Sequence, residues 1–149
     1  MVNKPFRSVW WCEFASLPAA LAESGCVVGV ADNTPDLDCR NLSPGRFTPR
    51  VLLPHDENKV VDRAYMMALL HMADAFCNSG WLPMTVFCLA GQHRSPAACA
   101  VIQSYLFGAP IESSIASVTQ LWPDFVRHRH GVYASSLIRL FNEQFDGGP

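Results

Sequence analysis

Cys88 and Arg94 stand six positions apart in a segment that reads F-C-L-A-G-Q-H-R-S-P from Phe87 to Pro96. A thiolate is a strong nucleophile, and a guanidinium offers a planar fork of donors that matches two phosphate oxygens. The segment leaves one apolar run, ending at Phe87, and enters another, starting at Pro96. A helix N-terminus presents unpaired N–H groups and partial positive charge, and successive loop amides turned inward make a nest for the same anion. Gly91 lets the backbone turn tightly and approach a ligand. Ser95 is expected to cap the helix, with Pro96 at its first position. Leu89, Ala90, Gly91, Gln92, His93 and Arg94 are therefore predicted to cradle an anion such as phosphate, sulfate or vanadate. Cys88 lies at the bottom of the cradle as nucleophile. The Ser95 hydroxyl can hydrogen-bond the sulfur and help it leave in a second step.

A Cys and an Arg at this spacing carry little weight alone, since chance supplies such a pair in about one chain in three of this composition. Requiring Gly three positions and Ser seven positions after the cysteine lowers chance to roughly 0.002. The strand before the loop and the helix after it lower it further. The bland alternative is a buried cysteine at a strand end, followed by an ordinary capped turn.

The flanking elements must place this loop. Ser8–Phe14 reads as a short aromatic strand, and Ser16–Ser24 as a short helix capped by Ser16. Cys26–Val30 is a β-branched run expected as a buried strand. Residues 32–49 read as a long loop, Arg50–Leu53 as a third strand and Asn58–Asn78 as a long helix closed by Ser79-Gly80. Met84–Phe87 is the fourth strand. Helices follow over Pro96–Phe107, Ile111–Leu121 and Val132–Phe145. The order predicts one α/β domain over 1–149, with a central, mostly parallel sheet of about four to five strands flanked by helices. Ligands of such sheets bind beyond the carboxyl ends of the strands, where the Cys88 loop begins.

Composition narrows the function classes. Half of the 149 residues are apolar and the net charge is −2, so a sizeable core is expected. No long basic run points to nucleic acid, and no stretch has the length to span a membrane. Trp10-Trp11 run into Cys12-Glu13, unlike a secretory leader, so a cytoplasmic protein is expected. The cysteines, at 12, 26, 39, 77, 88 and 99, show no C-x-x-C pair and no zinc spacing with histidine, so neither a metal nor a cofactor is expected. All but Cys88 read as small buried hydrophobes. His128 and His130, flanking Arg129, read as surface, with a place beside a bound phosphate as the alternative.

Cys88, Gly91, Arg94 and Ser95 match the loop H-C-x-x-G-x-x-R-S/T, and here the chain resembles the protein tyrosine phosphatase superfamily, in its compact dual-specificity branch. Outside the loop the resemblance rests on element order from about Cys26 to Phe145. It implies a phosphatase fold, a phosphocysteine intermediate and no metal. The family's histidine before the cysteine, which helps hold the loop and activate the thiol, is Phe87 here. Activation is then left to the loop amides, the helix and Arg94. The family also implies a general acid, usually an Asp on a loop some thirty residues before the cysteine. Asp56, 32 positions before Cys88 in Leu53-Pro54-His55-Asp56-Glu57, fits. A plain helix cap is the competing role for Asp56. Glu57 remains an alternative acid, and Asp124, Asp36 and Asp38 are weaker ones. His55 and His93 read as polar lining.

The expected substrate is a phosphorylated protein or a small phosphate monoester. The residues between Cys88 and Arg94 include no Lys or Arg, which disfavours phosphoinositides and favours phosphotyrosine, with phosphoserine and phosphothreonine beside it. Arg40, Arg46 and Arg50 of the long loop are candidates to shape the entrance. Two other readings compete: a non-catalytic module that binds phosphoproteins, and a rhodanese-like sulfurtransferase. Phe87 favours the first and the presence of both Cys88 and Arg94 opposes it, whereas the Arg94-Ser95 pair disfavours the second.

Overall fold

The structure is a computed structural model that describes the chain apart from residues 33, 35–36, 38, 40–41, 43–47 and 147–149. Asp36, Asp38, Arg40 and Arg46 lie outside the described residues. Four parallel strands, β1 (Val9–Glu13), β2 (Cys26–Gly29), β3 (Arg50–Leu52) and β4 (Met84–Cys88), form one sheet in the order β1-β4-β2-β3. Every residue of β2 and β4 is buried, as expected of inner strands covered on both faces. Among the described residues six α-helices surround them: α1 (Leu17–Glu23), α2 (Arg63–Asn78), α3 (Arg94–Phe107), α4 (Ile111–Leu121), α5 (Phe125–His128) and α6 (Val132–Phe141).

The helix α3 packs on β1, β4, α2, α4 and α6. Its side chains are small where it must come close, with Ala97, Ala98 and Ala100 fully buried. Gly108 ends it in the left-handed conformation at φ 72°, its N–H donating to the Ser104 carbonyl at 2.9 Å. On α2 the buried residues Met66, Leu69, Leu70 and Ala73 follow one face of a 3.6-residue period.

Element identities match the sequence expectations, and several boundaries move. The helix α2 starts at Arg63 rather than Asn58. The Val61 side chain is buried and its N–H donates to Ser136 Oγ at 2.8 Å, which keeps the preceding segment extended. Ser16 does not cap α1; its hydroxyl bonds the Glu13 carboxylate instead. The one-turn helix α5 was not expected, and α6 passes at Phe141 into a π-type turn over Asn142–Asp146.

Candidate active site

Cys88 is the last residue of β4 and is 2% exposed. The Gly91 N–H donates to its Sγ at 3.2 Å, and Ser95 Oγ lies 3.2 Å from the same sulfur. Ser95 is thus inside the first turn of α3 and faces the thiol. The cap position belongs to His93, whose side chain makes no capping bond. Gly91 has φ 68°, and a Cβ there would approach the Glu13 nitrogen to 2.9 Å. The loop therefore lies directly on the carboxyl end of β1. Two hydrogen bonds hold it there. Trp11 Nε1 donates to the Gly91 carbonyl at 3.1 Å, and the Phe14 N–H to the Leu89 carbonyl at 3.2 Å. Leu89, Ala90 and Gln92 face solvent.

Arg94 opens α3 and its side chain is 4% exposed. A buried guanidinium is costly unless its donors find acceptors. Nη1 donates to Asp32 Oδ1 at 2.8 Å and to the His55 carbonyl at 2.9 Å. Nε is buried with no partner. An oxyanion in the Cys88 loop would supply the missing acceptor. Asp32 was not among the sequence candidates. The signal available was its place three residues past β2, at the carboxyl edge of the sheet.

Asp56 follows β3 and is exposed. Its Oδ1 accepts from the Asn58 N–H at 2.8 Å in a local turn. It does not cap α2: Asp62 does, accepting from the Tyr65 N–H at 2.8 Å. Asp56 is chain neighbour to His55, whose carbonyl accepts from Arg94. Glu57 is also exposed, its carbonyl accepting from the Tyr133 N–H at 3.2 Å. Asp124 is exposed and pairs with Arg127 at 3.3 Å.

No protein-family model and no curated protein matches the sequence. Solved structures do. A mutant form of Tk-PTP superposes with a TM-score of 0.75 at 14% identity, over 99% of this chain and 97% of that one. A point variant of human DUSP28 gives 0.73 at 16% identity, over 98% and 97%. A mouse putative dual specificity phosphatase, solved as a zinc tungstate complex, gives 0.69 at 14% identity, over 98% and 89%. The fold is that of the dual-specificity phosphatases.

Within this phosphatase fold, Phe87 is fully buried, its ring 5.6 Å from that of Phe14. Gly29 pairs with it in register, and a Cβ at Gly29 would meet the Phe87 ring at 2.6 Å. The His55 ring packs edge-on against Tyr65 at 4.7 Å and Tyr133 at 5.3 Å. The Tyr65 hydroxyl donates to the Leu53 carbonyl at 2.6 Å and meets the Tyr133 hydroxyl at 3.1 Å. Burial pushes both phenols above their ordinary range, so they remain protonated as fixed hydrogen-bonding groups.

His93 and His128 face each other, Nδ1 to Nδ1, at 3.1 Å, which requires one nitrogen to carry a proton and the other to lack one. His128 also stacks on Trp122 at 4.8 Å. Burial, then His93 and Arg127, lower the His128 pKa. His128 is thus half-buried against His93 of the Cys88 loop rather than on the open surface, while His130 is exposed. Glu57, Asn58, His93, Gly131, Val132 and Tyr133 line a groove beside the loop. Burial raises the thiols of Cys12 and Cys26 to about 12 and that of Cys99 well above its ordinary value, so these remain unreactive packing groups. Cys39 is buried too, and Cys77 is half-buried. Among the described residues, no three His, Cys, Asp or Glu side chains converge as metal ligands, and no helix is long and apolar enough to cross a membrane.

Proposed function

We propose that the chain is a cysteine-dependent phosphatase that hydrolyses phosphate monoesters through a phosphocysteine intermediate. The observation that carries this is the buried, unpartnered Nε of Arg94, in the same short loop as a thiol bonded by Gly91 and Ser95. The phosphate docks on the amides from Leu89 to Arg94 and on the Arg94 fork. Cys88 thiolate attacks phosphorus in line, an S–P bond forms, and the bond to the leaving oxygen breaks. Asp56, in its acid form, gives that oxygen its proton. Asp56 carboxylate then takes a proton from water as the water oxygen attacks phosphorus. The S–P bond breaks, with the Ser95 hydroxyl hydrogen-bonded to the departing sulfur. Arg94 and the loop amides stabilise charge on the transferring group throughout, the largest contribution in such chemistry.

The substrate class proposed is phosphotyrosine in proteins, with phosphoserine and phosphothreonine accepted. The exposed part of the loop supports this, being Leu89, Ala90 and Gln92 with no cation to select a polyphosphorylated headgroup. Phe87 favours a second reading, a phosphate-binding module without turnover, because the family's histidine is missing. Turnover of p-nitrophenyl phosphate and orthovanadate binding, measured on the native chain and Cys88→Ser, separate the readings. The native chain is expected to turn over, and Cys88→Ser to lose at least about 1,000-fold in kcat while still binding vanadate. Vanadate binding by a native chain without turnover would establish the module. Robust turnover by Cys88→Ser would refute the nucleophile.

A further inference from the structure

Arg94 makes two bonds from a single nitrogen, and both acceptors lie far away in sequence: Asp32 and the carbonyl of His55. The carbonyl is fixed by its own strand-end segment, whereas the Asp32 carboxylate is half-exposed at 50% and is the only charged partner of this guanidinium among the described residues. The consequence is geometric. With Nη1 tethered on one side, the planar fork can turn only so as to present the edge carrying Nε. That edge is the buried, unpartnered one. In the dual-specificity pattern a histidine before the cysteine helps hold the loop, and Phe87 offers no polar atom for that task.

We infer that Asp32 is a positioning residue of this site, fixing Arg94 with its anion-facing edge turned toward the Cys88 loop before substrate arrives. The assignment rests on the phosphatase reading above. Two opposed effects must be weighed. The carboxylate takes away part of the positive charge that attracts an anion, yet it holds the fork in place. A freely rotating guanidinium loses the bidentate match to phosphate, and that loss outweighs a modest gain in field at a half-exposed carboxylate.

The two effects are separated by Asp32→Ala, which removes charge and acceptor, and Asp32→Asn, which removes charge and keeps the acceptor. The readouts are the orthovanadate dissociation constant, kcat/KM on p-nitrophenyl phosphate, and the melting temperature. Asp32→Ala is expected to weaken vanadate binding and kcat/KM by about 10- to 100-fold, the scale of one lost charge-assisted hydrogen bond. Asp32→Asn is expected to stay within about threefold of the native chain, since its amide oxygen still accepts from Nη1. Both variants should melt within a few degrees of it. Native vanadate affinity and kcat/KM in Asp32→Ala, or an equal loss in both variants, would overturn the role while leaving the phosphatase reading intact. A native chain that neither binds vanadate nor turns over would sink both together.

Discussion

At the scale of single residues, Asp56 has the role most open to direct trial. Its carboxylate is exposed and its one structural bond, from the Asn58 N–H, is local. Removing it therefore costs the fold little, and a loss of activity is readable as chemistry. A general acid matters most when the leaving group is a poor one. Asp56→Asn keeps the Asn58 bond, because its side-chain oxygen still accepts. It is expected to lower kcat about 100-fold on a phosphotyrosine peptide or an alkyl phosphate, and less than about tenfold on p-nitrophenyl phosphate, whose phenolate leaves unaided. Parallel kinetics on the two substrates make the comparison. Equal losses would take the proton-donor role away from Asp56 and return Glu57 as the candidate acid. The position of Asp56 between a strand and a helix was legible in the sequence. Its separation from the cap role was not, because Asp56, Glu57 and Asp62 all precede α2, and which one caps depends on where Val61 is pinned by Ser136.

At the scale of elements, the loop is shaped by the strands beside it, and the key contact crosses from β4 to β2. Phe87 and Gly29 are register partners, so their side-chain positions fall on the same face of the sheet. The Phe87 ring occupies the space that a Gly29 side chain would take, and Leu52 closes the remainder at 2.9 Å from that Cβ position. Gly29→Ala should therefore push the ring of Phe87, which immediately precedes Cys88. The expected cost is about 1–3 kcal/mol in chemical denaturation, as for other overpacked cores. Adding Phe87→Leu should recover part of it, so that the double variant is more stable than the sum of the two single losses predicts. Strictly additive losses would mean that the two residues do not share this space. Strand and helix identities were readable because β2, β4 and α2 carry clean apolar patterns. The pairing of a strand glycine with Phe87 was not, since register between β2 and β4 is set by the whole sheet. The contact of Asp32 with Arg94 is illegible in the sequence for a similar reason: it joins residues 62 positions apart, with Asp32 in an otherwise unpatterned stretch.

At the scale of the whole molecule, the parallel sheet gathers its strand ends onto one edge, and the C-terminal half of the chain closes over that edge. Tyr133 meets Tyr65 and takes the Glu57 carbonyl, Ser136 accepts from Val61, and His128 meets His93. Residues from α5 and α6 thus hold both the Asp56 segment and the Cys88 loop. The His128 contact makes part of this closure sensitive to pH. The folded state holds the His128 pKa below its ordinary 6.5, through burial first and then His93 and Arg127. The unfolded chain takes up that proton at higher pH than the folded one does. Stability is therefore full above about pH 6.5 and falls as pH drops through that value. Glu13 and Glu112 act in the same direction at lower pH. Burial alone would raise the Glu13 carboxyl, but bonds from the chain's amino terminus and Ser16 outweigh it; the Arg129 hydrogen bond lowers Glu112. Their contribution is lost below about pH 4.5. Melting temperature measured from pH 8 to pH 3.5 should accordingly fall in two stages. His128→Gln, which cannot take up the proton, should lose the upper stage and keep the lower. An upper stage of undiminished size in that variant would move the pH sensitivity away from the contact between α5 and the Cys88 loop.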